Sequence, residues 1–309
     1  MHQFERMAAM STNEAVDRTA FADANGIRIC YEPFGDPANP PMILIMGLAA
    51  QMVTWDEDFC ELLASKGYYV VRFDNRDMGK STRFDGVATP GMMEIFGASF
   101  AGKPLPPVYT LRDCARDTTA LMDALGFETA HIVGLSMGGM IAQELALNFP
   151  ERVRTLTSIM SSTGDPSLPQ ATPPALAVIT RETPTDRDGY IESYVKAWSV
   201  INGDQLPFDV ERTTLTASRC YDRGMNPAGV ARQMLAIIDS GNRTERLGTL
   251  EIPALVIHGS NDPLVPPEAG HATARAIPGA KLVVIDRMGH TLPRQIWPQV
   301  VDAIADHAR

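Results

Sequence analysis

HIVGLSMGGMIAQELALNFP, residues 131–150, is the stretch that decides the fold. An apolar run from His131 to Leu135 meets Ser136. A helical pattern then runs from Met137 to Asn148 and stops before Pro150. Gly134, Ser136 and Gly138 fit G-x-S-x-G, placed between a strand and a helix as that motif requires. A strand that turns directly into a helix forces strained dihedrals on the serine, and glycines two residues to either side let the chains pass without Cβ clashes. The turn lifts the hydroxyl above the sheet edge and sets a helix N-terminus under any negative charge that develops there. Ser136 is therefore the expected nucleophile, and the Met137 N–H one expected donor to an oxyanion.

Similar apolar runs lie on both sides. Met42 to Met46, Tyr68 to Phe73, Val153 to Met160, Ala254 to Ile257 and Lys281 to Ile285 read as strands buried on both faces of a parallel sheet. Helical patterns alternate with them at Trp55–Ser65, Thr110–Leu125, Pro267–Ala276 and Gln295–Ala308. Thr110 with Asp113 reads as a capping box and Gly126 as a stop. Strand–helix alternation specifies a doubly wound α/β sheet. Phe21–Ala24 and Ile27–Glu32 flank Asn25-Gly26, a hairpin dipeptide, and place an antiparallel hairpin at the sheet's N-terminal edge. Two stretches break the rhythm. Residues 75–109 are long and rich in Gly, Pro and Met. Residues 164–247 carry helical patterns near Gly189–Val200, Asp209–Tyr221 and Pro227–Ser240, and read as a helical cap inserted between strands. The expected organisation is an extension over 1–20, a core over 21–163 and 248–309, and the cap over 164–247.

A serine hydroxyl needs a base. His290 follows the last expected strand, the place of the base in the chain order Ser, Asp, His. His258 ends a strand before the acid candidate and is expected to be structural; His2, His131, His271 and His307 lack motif context. Asp262, after the Leu255–His258 run, is the expected carboxylate partner, with Asp165 the runner-up and Asp286 too near His290 in sequence. The second oxyanion donor is expected from the loop after Met42–Met46, at the Leu48 N–H, with Gly47 allowing close approach. Met46, Met78 and Met288, of the 16 methionines, and Gly47 lie beside strand ends and are candidate substrate contacts, with plain core filling the alternative for the methionines. Asp113 and Asp117 lie one helical turn apart without His or Cys nearby and read as a solvated face, so no metal site is expected.

With 27 Lys and Arg against 37 Asp and Glu, the net charge of -10 opposes nucleic-acid binding and disfavours anionic substrates. Cys30, Cys60, Cys114 and Cys220 have neither C-x-x-C nor ligand spacing, which suits reduced thiols in the cytoplasm. No stretch has the length of a membrane span, and residues 1–16 lack the apolar region of a signal peptide; Met10 is an alternative start.

Gly47, Asp74-Asn75-Arg76-Asp77-Met78-Gly79-Lys80-Ser81, Gly134 to Gly139, Asp262 and Gly289-His290 resemble the α/β-hydrolase set in its order, over nearly the whole chain from Phe21. The Asn-Arg-Asp variant and Leu156 to Ser161 are most similar to the branch of aclacinomycin methylesterase and related esterases, some of which open macrolide lactones. The resemblance implies an α/β-hydrolase fold, a Ser136–Asp262–His290 triad, no cofactor and a small-molecule ester substrate. Two departures stand out: Met46-Gly47 replaces His-Gly in the oxyanion loop, and Asp77 replaces the commoner glycine. The expected activity is hydrolysis of a bulky ester or macrolactone through an acyl-enzyme. A cofactor-free C–C hydrolase or lyase on the same triad, or a non-catalytic ligand receptor, remains the alternative.

Overall fold

Eight strands form one sheet in the order β1-β2-β4-β3-β5-β6-β7-β8. The computed structural model describes residues 18–309; His2, the alternative start at Met10 and nearly all of the expected extension lie outside the described residues. β1 (Ala20–Ala24) and β2 (Ile27–Phe34) are the antiparallel edge hairpin, and Asn25 and Gly26 both take the positive φ that the turn requires. β2 also pairs antiparallel with β4 (Tyr69–Phe73). From β4 onward all pairing is parallel, through β3 (Pro41–Ile45), β5 (Ala130–Leu135), β6 (Val153–Ile159), β7 (Ala254–Gly259) and β8 (Lys281–Ile285). Every residue of β5 and β7 is buried, which explains why these strands read as unbroken apolar runs rather than alternating ones.

Helices cover both faces. α1 (Glu57–Ala64), α3 (Leu111–Ala124) and α4 (Met137–Asn148) alternate with the early strands, and α2 (Met92–Phe100) interrupts the long segment after β4. Thr110 and Asp113 form the reciprocal capping box at the start of α3. Between β6 and β7 run α5 (Pro173–Thr180), α6 (Arg187–Asn202), α7 (Val210–Arg223), α8 (Pro227–Ser240) and the short α9 (Thr244–Leu247); α10 (Pro267–Ala276) and α11 (Trp297–His307) complete the set. One apolar cluster joins Ile43, Ile132 and Leu156 to α3 and α4. A second joins Leu44, Val133 and Ile257 to α1 and α11 on the opposite face. The four cysteines are buried and free, and burial pushes the Cys30, Cys60 and Cys220 thiols up, to between about 11 and about 12. Among the described residues no helix is long and apolar enough to cross a membrane.

Buried charge in the core is paired. Arg72 is enclosed with Glu32 and also reaches Glu57 at 3.2 Å. Arg76 takes Asp117 in a fork, 2.5 Å from Nε and 2.6 Å from its terminal nitrogen. Asp117 is therefore a buried partner of Arg76, not part of a solvated face as its spacing from Asp113 suggested. Beneath the sheet, His131 donates to or accepts from Thr155 Oγ1 at 2.9 Å. Burial, with Arg154 and His307 adding positive charge, holds its ring at about 4, below the ordinary 6.5. The unfolded chain thus gains a proton near pH 6.5 that the folded chain takes up only near pH 4, so stability falls with pH across that window. We expect His131→Gln to shrink the loss of urea stability between pH 7 and pH 5 relative to the wild type. An unchanged loss would remove His131 from the acid limb; His258 and His307, also held low by burial, keep the variant's own slope above zero.

Candidate active site

The junction of β5 and α4 is a one-residue bend. Ser136 has φ 55° and ψ -119°, a left-handed conformation that costs a non-glycine residue energy and is held by its surroundings. Its N–H donates to Ile159 O at 2.9 Å, and its carbonyl accepts from Gly139 N at 2.9 Å and from Ser161 Oγ at 2.8 Å. A Cβ at Gly134 would land on the Gly138 carbonyl, and one at Gly138 on the Ile45 carbonyl. The bend therefore closes only with glycine at both places. Gly47 crosses just behind: a Cβ there would lie 3.2 Å from the Ser136 Cβ.

The histidine arrives on the loop after β8. His290 is 5% exposed, and its Nδ1 is 2.7 Å from Asp262 Oδ2. The other carboxylate oxygen of Asp262 accepts from Leu264 N at 2.9 Å and Val265 N at 2.8 Å, so the turn after β7 fixes the carboxylate before it meets the ring. His258 braces the same turn. Its Nε2 lies 2.8 Å from Val265 O, which can only accept, and 3.6 Å from Asp262 Oδ2; burial holds its pKa below the ordinary value.

The inserted helices reach into this loop. His290 N donates to Ile201 O at 2.7 Å, and Thr291 Oγ1 to Asn202 Oδ1 at 2.6 Å. A Cβ at Gly289 would collide with the Asn202 carbonyl, which is why glycine precedes the histidine. The end of α6 thus sets the height of the imidazole. Nothing local in the sequence around Asn202 marked it as a partner of a residue so far along the chain.

Ser136 and His290 open onto one cavity of about 1310 Å³ between the strand ends and the inserted helices. Met46, Gly47, Leu48, Met78 and Met137 also line it. Met288 is a correction: it is fully buried in the second apolar cluster, packed with core residues, and does not line the cavity. Asp165 is a second correction. It lines the cavity rim, but its carboxylate serves the turn at Ser167 N, 2.9 Å away, rather than the histidine. Asp77, whose effect the sequence left open, takes φ 67° and a buried fork with Arg232 of α8. Among the described residues no group of three or more His, Cys, Asp or Glu is placed to hold a metal ion.

The chain matches the family model of the α/β hydrolase fold over residues 40–293. The chain belongs to the α/β-hydrolase family. It is 31% identical to rhodomycin D methylesterase DauP of a Streptomyces species, over 92% of this chain and 95% of that protein. It is 28% identical to a 2-hydroxy-6-oxononadienedioate/2-hydroxy-6-oxononatrienedioate hydrolase of Burkholderia vietnamiensis, over 87% and 86%. Among solved structures, a meta-cleavage product hydrolase from Pseudomonas fluorescens superposes with a TM-score of 0.74 at 22% identity, covering 93% of this chain and 96% of that one. At that identity the likeness speaks for the fold alone. The sequence relatives are hydrolases.

Proposed function

We propose that this α/β-hydrolase cleaves a bulky carboxylic ester through an acyl-enzyme on Ser136. The observation that carries the reading is the 2.7 Å His290–Asp262 bond beside a serine held in a left-handed bend on the same cavity. Use of Nδ1 by the carboxylate leaves Nε2 for the serine proton. Ser136 attacks the acyl carbon while His290 takes the proton; the oxyanion rests on the Leu48 and Met137 N–H groups; His290 returns the proton to the leaving alcohol. Water, activated by the same imidazole, then releases the acid and restores the serine. Asp262 keeps the ring in the required tautomer and offsets its transient charge.

The size of the substrate follows from the cavity. Its volume, about 1310 Å³, exceeds the roughly 300–1000 Å³ of ordinary small-molecule sites. One wall is the face of α6 that presents Tyr190, Tyr194 and Trp198, with the last two stacked 5.4 Å apart. Such a wall suits a large ring system rather than a short acyl chain. The methylesterase relatives favour a polyketide methyl ester, and a macrolactone such as a macrolide is the other member of this class. On a panel of polyketide methyl esters and macrolides, mass spectrometry should find one member converted to a product: loss of the methyl group for an ester, gain of one water for a lactone. A panel left wholly unchanged by an enzyme that turns over p-nitrophenyl acetate would refute the substrate class.

The Burkholderia relative keeps C–C hydrolysis as the second reading. Fluorophosphonate labelling separates a non-catalytic receptor, whose serine would stay unlabelled. A burst of p-nitrophenol separates the acyl-enzyme route from chemistry that bypasses it.

A further inference from the structure

The loop that carries Leu48 is gripped at both ends by buried amide side chains. At its start, Asn75 Nδ2 donates to Met46 O at 2.9 Å. At its end, Gln233 Oε1 accepts from Ala49 N at 3.1 Å. Gln233 Nε2 also lies 3.4 Å from Arg76 O, so the two grips share one strand-end segment and close a ring around Leu48. Gln233 and Asn75 are 1% and 3% exposed, and Ala49 is held at φ 61°, a conformation it would leave if released. Gln233 belongs to α8, on the inserted segment, and its neighbour Arg232 anchors that helix to Asp77.

We infer that Gln233 and Asn75 are positioning residues for the oxyanion donor, and that Gln233 makes the inserted segment a working part of the reaction rather than only a roof over it. The inference rests on the proposed role of the Leu48 N–H. The Ala49 amide is taken by Gln233, so it cannot turn toward an oxyanion, and the next peptide back, Leu48, is the donor left to face the cavity. With the grip gone, Ala49 relaxes toward ordinary φ and rotates that donor away. Ground-state contacts made by the rest of the cavity stay as they are. A misplacement of this kind lowers the rate of acylation and spares substrate affinity.

Stopped-flow acylation by p-nitrophenyl acetate tests this with Gln233→Met, which keeps side-chain length and removes the acceptor, and with Asn75→Ser, which releases the other end. Burst amplitude counts competent sites, so misfolded molecules reduce the amplitude and leave the rate per site untouched. Each variant should acylate about 10- to 100-fold more slowly per site. The half-saturating substrate concentration should stay within about threefold of wild type. Fluorophosphonate labelling should slow in step, since it draws on the same donor. Wild-type rates per site in both variants, with the wild type itself bursting and labelling normally, overturn the clamp and leave the site reading intact. A wild type that neither bursts nor labels overturns the site reading, and the clamp with it.

Discussion

Ser136→Ala is expected to abolish the p-nitrophenol burst, fluorophosphonate labelling and steady-state turnover together. Removal of a hydroxyl that forms the covalent intermediate costs at least about 10⁴-fold, because the remaining oxyanion donors and cavity have nothing to act on but a water. Stability should barely change. Alanine keeps the left-handed φ of 55° and its cost, and no hydrogen bond of the Ser136 side chain holds the fold together. Ser136→Gly should be equally inactive and more stable, by about 1 kcal/mol, because glycine occupies that region freely. The pair separates chemistry from folding: both variants dead, one neutral and one stabilised in urea. Turnover retained in a Ser136→Ala preparation, titrated free of wild-type contamination, would sink the assignment.

Much of this site was legible before any coordinates. The G-x-S-x-G spacing encodes a steric necessity, two chain crossings too close for a Cβ, and such a necessity leaves a local mark. The same holds for Asn25-Gly26, the Thr110–Asp113 box and the apolar runs of β5 and β7, each of which depends on neighbours in sequence. α4 ends at Asn148, ahead of Pro150, and α10 and α8 begin at Pro267 and Pro227, where a proline suits the first helical turn. What stayed hidden depends on partners far along the chain. Met288 looked like a cavity residue from its place beside His290, and it packs in the core instead. α2 lies in the stretch rich in Gly, Pro and Met, and α5 lies in the part of 164–247 without a clear helical pattern; each buries a single apolar residue, Ile95 and Ala175, too few to leave a periodic mark. Asn202, Gln233 and Arg232 carry no motif; each works through a residue far away in the sequence.

Arg232→Met is expected to be strongly destabilising, because it breaks a buried ion pair between the inserted helices and the core. Arg232 and Asp77 are 1% and 0% exposed, and they meet in a fork at 2.8 and 2.7 Å. Burial alone would push the Asp77 carboxyl up, but Arg232 and the Phe84 N–H outweigh it and hold the group below its usual range. Methionine fills the space and leaves the carboxylate enclosed without its cation. Breaking a buried pair from one side costs about 3–5 kcal/mol, far more than the pair adds over an apolar replacement. Asp77→Gly alone should also destabilise, since it strands the guanidinium, although relief of φ 67° offsets part of the loss. The double variant should then be more stable than the sum of the singles by at least about 2 kcal/mol in a urea cycle, because no charge is left buried alone. Additivity within about 0.5 kcal/mol would mean that the two groups do not depend on each other, and that the inserted helices are held to the core without this pair. With coupling, Asp77 is one half of a bond to α8, the helix that also grips the loop behind Ser136.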